Sequence, residues 1–309
     1  MNHLFGPVAS RRLGRSLGVD LLPFKTCTLD CIYCECGPTT AKTIKREEYV
    51  PYDEIVLEIE EWHSKGGKAD YITLAGSGEP TLNIRFGDII SEIKRITNIP
   101  VCVLTNGTLF SSQEVRQETA LADLVIPSLD AADKETFLKI NRPSEGLNFE
   151  KYIEGLILFS KEFSGKLWLE VFVVPGINDN ENTIMSLVEI AKKIKPHKIQ
   201  LNTAVRPTAE KSVKSVLREK LEKLAKFFTP KAEIIAAYHH VVKAQESVSK
   251  ERVFELLQRR PCTLEDISSG LSIKKEEAEK YVNELLEENL ICVNEGFYFA
   301  TKTQSLKGI

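Results

Sequence analysis

Residues 25–36 read KTCTLDCIYCEC, and the rest of the chain can be read outward from them. Cys27, Cys31 and Cys34 stand in the spacing C-x3-C-x2-C, with Tyr33 immediately before the third thiol. Three thiolates on one short loop can each take one iron of a [4Fe–4S] cube and leave the fourth iron without a protein ligand. An iron with an open position can bind a small molecule, so such a loop points to chemistry rather than to electron storage. Two plainer readings stand beside it. A structural zinc takes four ligands in a tetrahedron, and Cys36 would complete C-x3-C-x2-C-x-C. Disulfide pairing is the other, although cysteines this dense suit metal better than pairing in an intracellular chain.

The chain has 309 residues, enough for one large α/β unit and a small appendage. Apolar residues make up 42% and charged ones 28%, values of a globular protein. The sequence has no apolar run of membrane-spanning length and no charged-then-apolar leader, so a cytoplasmic protein without a membrane partner is expected. The formal charge of −3 gives no global attraction to nucleic acid. Cys102, Cys262 and Cys292 lie far apart in apolar segments and are expected to be buried core thiols.

Upstream of the loop, three arginines (Arg11, Arg12, Arg15) precede a strand at 17–22, which Pro23 ends. Downstream, helical spacing over 52–65 stops at Gly66-Gly67. Strands are expected at 69–75, 101–105, 124–129, 167–174 and 198–202. Helices are expected at 85–96, 111–119, 134–140, 149–163, 181–194 and 210–227. The strands are short and near-continuously apolar, as in a parallel sheet covered on both faces. Right-handed crossovers curl six such units into an open barrel, too few for closure at eight. The expected fold class is therefore α/β, a partial (βα)6 TIM-like barrel over residues 1–235. After a linker at 236–246, residues 247–309 read as helices at 250–258, 263–270 and 274–289 and a hairpin at 290–300. That is the order of a winged helix-turn-helix domain.

Ligands of parallel α/β folds bind at the carboxyl ends of the strands. The first strand leads into the cysteine loop. The second ends in Gly76-Ser77-Gly78-Glu79-Pro80, where glycines admit a ligand close to the backbone and a carboxylate suits an ammonium. The third ends at Asn106, and the fourth at Ser128 and Asp130, with Asn141-Arg142-Pro143 beyond. Glu170 lies within the fifth strand, where a buried acid is either paired or functional. The fifth runs into Pro175–Asp179, and the sixth ends at Asn202. For Asn106, Asp130, Arg142 and Asn202 a turn or cap role is the plain alternative.

The thiol spacing, the aromatic and the loop's place after a first strand resemble the radical S-adenosylmethionine (SAM) superfamily. The resemblance implies a [4Fe–4S] cluster on Cys27, Cys31 and Cys34, with SAM on the fourth iron through its amino and carboxylate groups. GSGEP is similar to the superfamily's Gly-Gly-Glu-Pro motif, with Ser77 as the departure, and would place Glu79 on the methionyl amino group. By the same resemblance Tyr33 stacks near adenine, and Pro175–Asp179 is similar to a turn that flanks adenine. Asn106 faces substrate, and Ser128 and Asp130 meet the ribose or substrate. Arg142 is a candidate partner for a SAM carboxylate or a substrate anion, and Asn202 is the sixth strand's candidate for the same site. The opening 5–37, with its S-R-R-x-G-x-S-L-G run, resembles the wyosine-synthetase-like group, over roughly the first 240 residues. Cys36 is expected to be a free thiol near the cluster.

Two functions from different classes follow. The first is a radical SAM enzyme of Fe–S oxidoreductase type, fed electrons by a reductant such as flavodoxin or ferredoxin. It would cleave SAM to a 5′-deoxyadenosyl radical and abstract hydrogen from an unidentified substrate, RNA or protein among the options. The alternative is a non-catalytic iron–sulfur or zinc sensor with a DNA-binding winged helix. From Lys192 to Lys231 there are twelve basic and three acidic residues, read either as solvated helix faces or as a groove for a phosphate-bearing substrate. In the tail, 274–288 holds three lysines against six glutamates, so its third helix is expected not to bind DNA. Packing on the barrel, covering its mouth or docking a protein are the expected roles.

Overall fold

In the computed structural model, which describes residues 3–235, 248–271 and 273–301, β1 (Leu4–Ser10) runs antiparallel to β2 (Gly14–Val19). A two-residue pair, β3 (Thr26–Cys27) with β4 (Ala41–Lys42), braces the cysteine loop. The chain then alternates through α1 (Tyr52–Ser64), β5 (Tyr71–Leu74), α2 (Phe86–Ile96), β6 (Val101–Thr105), α3 (Gln113–Thr119) and β7 (Leu124–Pro127). It continues with α4 (Lys134–Ile140), α5 (Phe149–Glu162), β8 (Lys166–Phe172), α6 (Glu181–Ile194), β9 (Lys198–Asn202), α7 (Arg218–Ala225) and β10 (Glu233–Ile234). The sheet order is β1-β2-β5-β6-β7-β8-β9-β10, and every pair after the first hairpin is parallel.

Strand side chains alternate between faces, and that alternation sorts the helices. Leu17, Val19, Ile72, Leu74, Val101, Val103, Leu169, Val171, Ile199 and Leu201 join one cluster with the apolar faces of α1, α2, α3, α5, α6 and α7. The other parity is carried in register across the sheet by Gly18↔Thr73, Thr73↔Cys102, Cys102↔Leu124, Trp168↔Lys198 and Glu170↔Gln200. No residue of a parallel-series helix joins the inner cluster around Cys102, Leu124 and Ile126; Leu13 of the β1–β2 turn does. Helices α1, α2, α3, α5, α6 and α7 thus cover one face, an arrangement consistent with a partial barrel, and the expectation of βα helices on both faces of the sheet is corrected. The inner face is mixed, with Ser16 and Thr73 hydroxyls 2.6 Å apart. Phe86, Phe110 and Phe159 are fully buried on the helical side, each contributing about 1.5–3 kcal/mol. Asp133, Asn148 and Asn180 start α4, α5 and α6 by accepting a backbone N–H from the third helical residue. Each such cap contributes about 1 kcal/mol.

Other expectations are adjusted as well. The first parallel strand ends at Val19, three residues early, because Asp20 and Leu22 turn toward the GSGEP loop. The expected helix over 210–227 begins only at Arg218. Upstream, the Ala209 and Glu210 N–H groups bond the carbonyls of Cys34 and Ile32, and Val216 N–H bonds Thr203 Oγ1. Tertiary hydrogen bonds replace helical ones there.

In the tail, α8 (Lys250–Arg259), α9 (Leu264–Leu271) and α10 (Lys275–Glu287) precede a hairpin of β11 (Ile291–Asn294) and β12 (Phe297–Ala300). They share a core of Val253, Leu256, Ile267, Ala278, Val282 and Leu285, against which Val8 of β1 packs. The hairpin turns on Glu295-Gly296, both at positive φ. Cys102 and Cys262 are buried as expected, but Cys292 is exposed because the outer face of β11 is uncovered. The expected linker at 236–246 lies outside the described residues. Among the described residues no helix is long and apolar enough to cross a membrane.

Candidate cluster and SAM site

The cysteine loop leaves the carboxyl end of β2 and is locked to its neighbours at close range. A Cβ at Gly78 would stand 2.0 Å from the Thr26 carbonyl oxygen, and one at Gly76 would stand 2.2 Å from the Asp20 carboxyl carbon. The two glycines therefore serve the seating of one loop against the other, a closer constraint than ligand approach. Asp20, at 3% exposure, accepts from the Ser77 N–H and hydroxyl at 3.2 Å each. Burial raises its pKa, and the Arg259 guanidinium opposes that.

Each of the three thiols has a nitrogen donor aimed at it. Asn106 Nδ2 lies 3.6 Å from Cys27 Sγ, Asn141 Nδ2 lies 3.4 Å from Cys31 Sγ, and Lys25 Nζ lies 3.1 Å from Cys34 Sγ. Donors on cluster sulfurs orient the ligands and tune the potential. Burial pushes the Cys27 thiol up to about 12, with Glu79 adding to it, and pushes Cys31 up well above the usual range, with Asp130 adding to it. A hydrogen bond from Cys36 lowers Cys34 to about 6, burial opposing and Lys25 assisting. Buried thiols beside carboxylates ionise only when a cation joins them, so this donor set fits a cluster that supplies positive iron. Among the described residues no three His, Cys, Asp or Glu side chains form a ready single-ion site. A cube asks for a different arrangement, one thiolate on each of three irons.

Glu79 is 2% exposed and accepts four hydrogen bonds: Thr81 N–H (3.2 Å), Thr81 and Thr105 hydroxyls (2.6 Å each) and Asn106 N–H (2.7 Å). Burial raises its pKa and these donors oppose that. Pro80 is buried at the start of the 3-10 turn Pro80–Leu82 that Glu79 caps. Asn106 is itself pinned, donating to Thr28 Oγ1 at 2.8 Å.

Asp130, also 2% exposed, accepts from Tyr33 Oη (2.5 Å), Asn141 Nδ2 (2.9 Å) and Phe172 N–H (2.9 Å). Burial lifts it to about 6, against the pull of those bonds. Tyr33 stacks on Phe172 with centroids 3.8 Å apart and planes 8° from parallel. One face of the Tyr33 ring is thus committed to the protein. Ser128 gives its carbonyl to Tyr152 Oη at 2.6 Å and bridges to Glu170.

Two expected residues are placed differently. Arg142, at positive φ, turns outward to Glu210 at 2.7 Å, while its neighbour Asn141, the C-cap of α4, faces the thiols. Asn202 belongs to a buried network on the barrel's inner face, donating to Glu170 at 2.9 Å and lying 3.4 Å from Arg11. The β1–β2 turn supplies the cations of that network: Arg12 bonds Glu170 at 2.6 Å and Gln200 at 3.2 Å. Glu170 is held below its usual range by Arg12 and Asn202 despite burial. Lys25, Asn141 and Asp20 were not singled out by sequence reasoning. Lys25 opens the quoted loop and Asn141 adjoins a chosen residue, so proximity was the available signal. Within the basic stretch 192–231, several cations are already partnered. Lys192, Lys198, Arg218 and Lys220 pair with Glu189, Glu233, Glu222 and Asp179, and Arg206 turns inward.

A one-sided βα series with three thiols after its first strand defines the class, and the chain belongs to the radical SAM superfamily, whose family model matches residues 21–188. Members use a [4Fe–4S] cluster and SAM. More particularly, it is 37% identical to UPF0026 protein MJ1312 of Methanocaldococcus jannaschii over 230 residues, 74% of this chain and 71% of that one. It is 34% identical to a UPF0026 protein of Helicobacter pylori, covering 85% of this chain and 86% of that one. A GTPase Obg of Brachyspira hyodysenteriae is 41% identical over 92% of this chain, which spans only 42% of that protein. The present chain holds no G-x-x-x-x-G-K-[S/T] loop of the kind that cradles nucleotide phosphates. Among solved structures, TYW1 with a lysine–pyruvate adduct has a TM-score of 0.54 at 20% identity, covering 74% of this chain and 76% of that one. A radical SAM methyltransferase from Sphaerobacter thermophilus also reaches 0.54, at 16% identity, covering 71% and 65%. These likenesses show the fold.

Proposed function

We propose that the chain is a radical SAM enzyme of Fe–S oxidoreductase type, with Cys27, Cys31 and Cys34 holding the irons and a flavodoxin or ferredoxin as reductant. When bound, the cluster and SAM supply reductive cleavage to a 5′-deoxyadenosyl radical, which abstracts a hydrogen atom from the substrate. The observation that carries this reading is the nitrogen donor at each of the three thiols.

The chain's own residues divide the remaining work. Gly76, Ser77, Gly78 and Pro80 present backbone toward the methionyl end, and Glu79 holds that loop to Thr105 and Asn106. Three of its four protein donors fall on Oε1 and only the Asn106 N–H on Oε2, so Oε2 keeps an acceptor position for the SAM ammonium. Tyr33, Asp130 and Asn141 fix the thiol loop to β8 rather than touch the ribose. Ser128 and Asn202 lie at or near the carboxyl ends of β7 and β9, on the inner face.

We read 1–235 as the barrel domain and 247–309 as a winged helix-turn-helix domain, supported by the order of three helices and a hairpin. Its exposed α10 is acidic, which favours a structural role over DNA binding. Anaerobic reconstitution followed by SAM and dithionite tests the reading. 5′-Deoxyadenosine measured by mass spectrometry is expected; a colourless protein that retains zinc and leaves SAM intact overturns it.

A further inference from the structure

A cavity of about 420 Å³ lies between the inner face of the barrel and α9 of the tail. The β1–β2 turn lines one side, the interior of β2, β5 and β6 another, and Thr263, Asp266 and Ser269 a third. Four arginines line it: Arg11, Arg12, Arg206 and Arg260. Their carboxylate partners are fewer than the cations. Arg12 is matched by Glu170 at 2.6 Å. Arg206 takes Glu35 at 3.0 Å and Asp266 at 2.7 Å, which leaves Arg11 at 3.6 Å from the same Glu35. Glu265, the other acid on the wall, pairs with Lys275 at 3.6 Å. Among the described residues the Arg260 guanidinium has no hydrogen bond or ion pair. The Arg206 side chain is 7% exposed, yet its Nε is buried without a partner. Unused guanidinium donors in a desolvated wall favour an anion, since leaving them unpaired costs stability.

The chamber is also closed in by the tail. Arg259 pairs with Asp20, Arg206 with Asp266, and Arg252 donates to the Gly6 carbonyl. The volume suits a small molecule and not a folded polymer. Its arginines reach the cysteine loop directly, because Glu35 stands between Cys34 and Cys36.

We infer that this chamber holds the phosphate or carboxylate group of a small-molecule substrate through Arg206 and Arg260, with the tail as a fixed wall of the active site. The inference rests on the radical SAM reading for the word substrate, and on the cavity for the rest. RNA and protein are thereby disfavoured as substrates.

Calorimetric titration of the full chain tests it, with inorganic pyrophosphate, succinate and a single-stranded RNA as separate probes. Binding of pyrophosphate marks a phosphate site and binding of succinate a carboxylate site; either supports the inference. R260A is expected to weaken that binding about tenfold or more, with R260K intermediate. An unchanged melting temperature in R260A separates this from misfolding, since among the described residues the Arg260 guanidinium has no hydrogen bond or ion pair to lose. Binding of neither small anion, affinity unchanged in R260A, tighter binding of RNA than of both anions, or displacement of the anion by SAM overturns the inference. SAM cleavage by the wild-type protein is read separately. A chain that cleaves SAM but binds no small anion removes the chamber and leaves the radical SAM reading standing. One that binds the anion but never cleaves SAM supports the chamber and removes that reading.

Discussion

At the residue scale, the thiols and Glu79 carry different kinds of dependence. Cys27, Cys31 and Cys34 each meet a nitrogen donor from a different part of the chain, whereas Cys36 meets Cys34. Replacing any of the first three by Ala is expected to remove most bound iron after anaerobic reconstitution, and Cys36→Ala to retain it. Equal loss in the Cys36 variant, measured by iron and sulfide analysis, would support a four-thiol site instead. Glu79→Ala breaks four hydrogen bonds at the junction of two loops. Unsatisfied buried donors cost about 1–3 kcal/mol, which lowers the melting temperature by about 2–4 °C per kcal/mol in a chain somewhat smaller than this. The variant is expected to keep its cluster while SAM affinity falls. SAM affinity equal to wild type in a calorimetric titration would remove Glu79 from the site. Asn141 and Arg142 mark the limit of reading residues from a string. Both sit in the same Asn-Arg-Pro turn, and a left-handed φ of 45° at Arg142 sends one inward and the other to Glu210.

At the element scale, the end of α8 reaches across to the SAM loop. Arg259 pairs with Asp20, and Asp20 holds Ser77. Arg259→Ala leaves a carboxylate at 4% side-chain exposure without its cation, a costly state. SAM Kd is expected to rise about tenfold with the cluster retained, as followed by SAM titration together with the cluster's visible spectrum. A SAM Kd matching wild type would show that the tail does not buttress that loop. The parallel strands and most helices were legible because apolar periodicity is local. The β1–β2 hairpin was less so, because its turn is basic. Arg11, Arg12 and Leu13 look like a solvated turn, yet they fold inward where Glu170, Gln200 and Asn202 await them. The helix over 210–227 failed for a related reason, since residues with helical spacing were recruited by the backbone of the cysteine loop.

At the scale of the whole molecule, α9 of the tail packs on β1 and walls a cavity, while α10 keeps three of its five glutamates (Glu276, Glu279 and Glu287) exposed. Acidic side chains facing phosphates forfeit the counterion release that gives DNA affinity. The full chain is therefore expected not to bind mixed-sequence duplex DNA in a salt titration; micromolar binding that falls steeply with salt would overturn this. The sequence by itself determined the thiol loop, the GSGEP motif, the βα repeat and the helix–helix–helix–hairpin order of the tail. Each depends on spacing along the chain, and spacing is local. Only the tertiary structure decided that Asn141 and Lys25 face the thiols, that Asp130 holds Tyr33, and that arginines from residues 11 to 260 line one chamber. Those pairings join residues up to more than two hundred positions apart, and the curvature of the open sheet and the docking of the tail bring them together. No periodicity records which buried charge will find which partner once water is excluded.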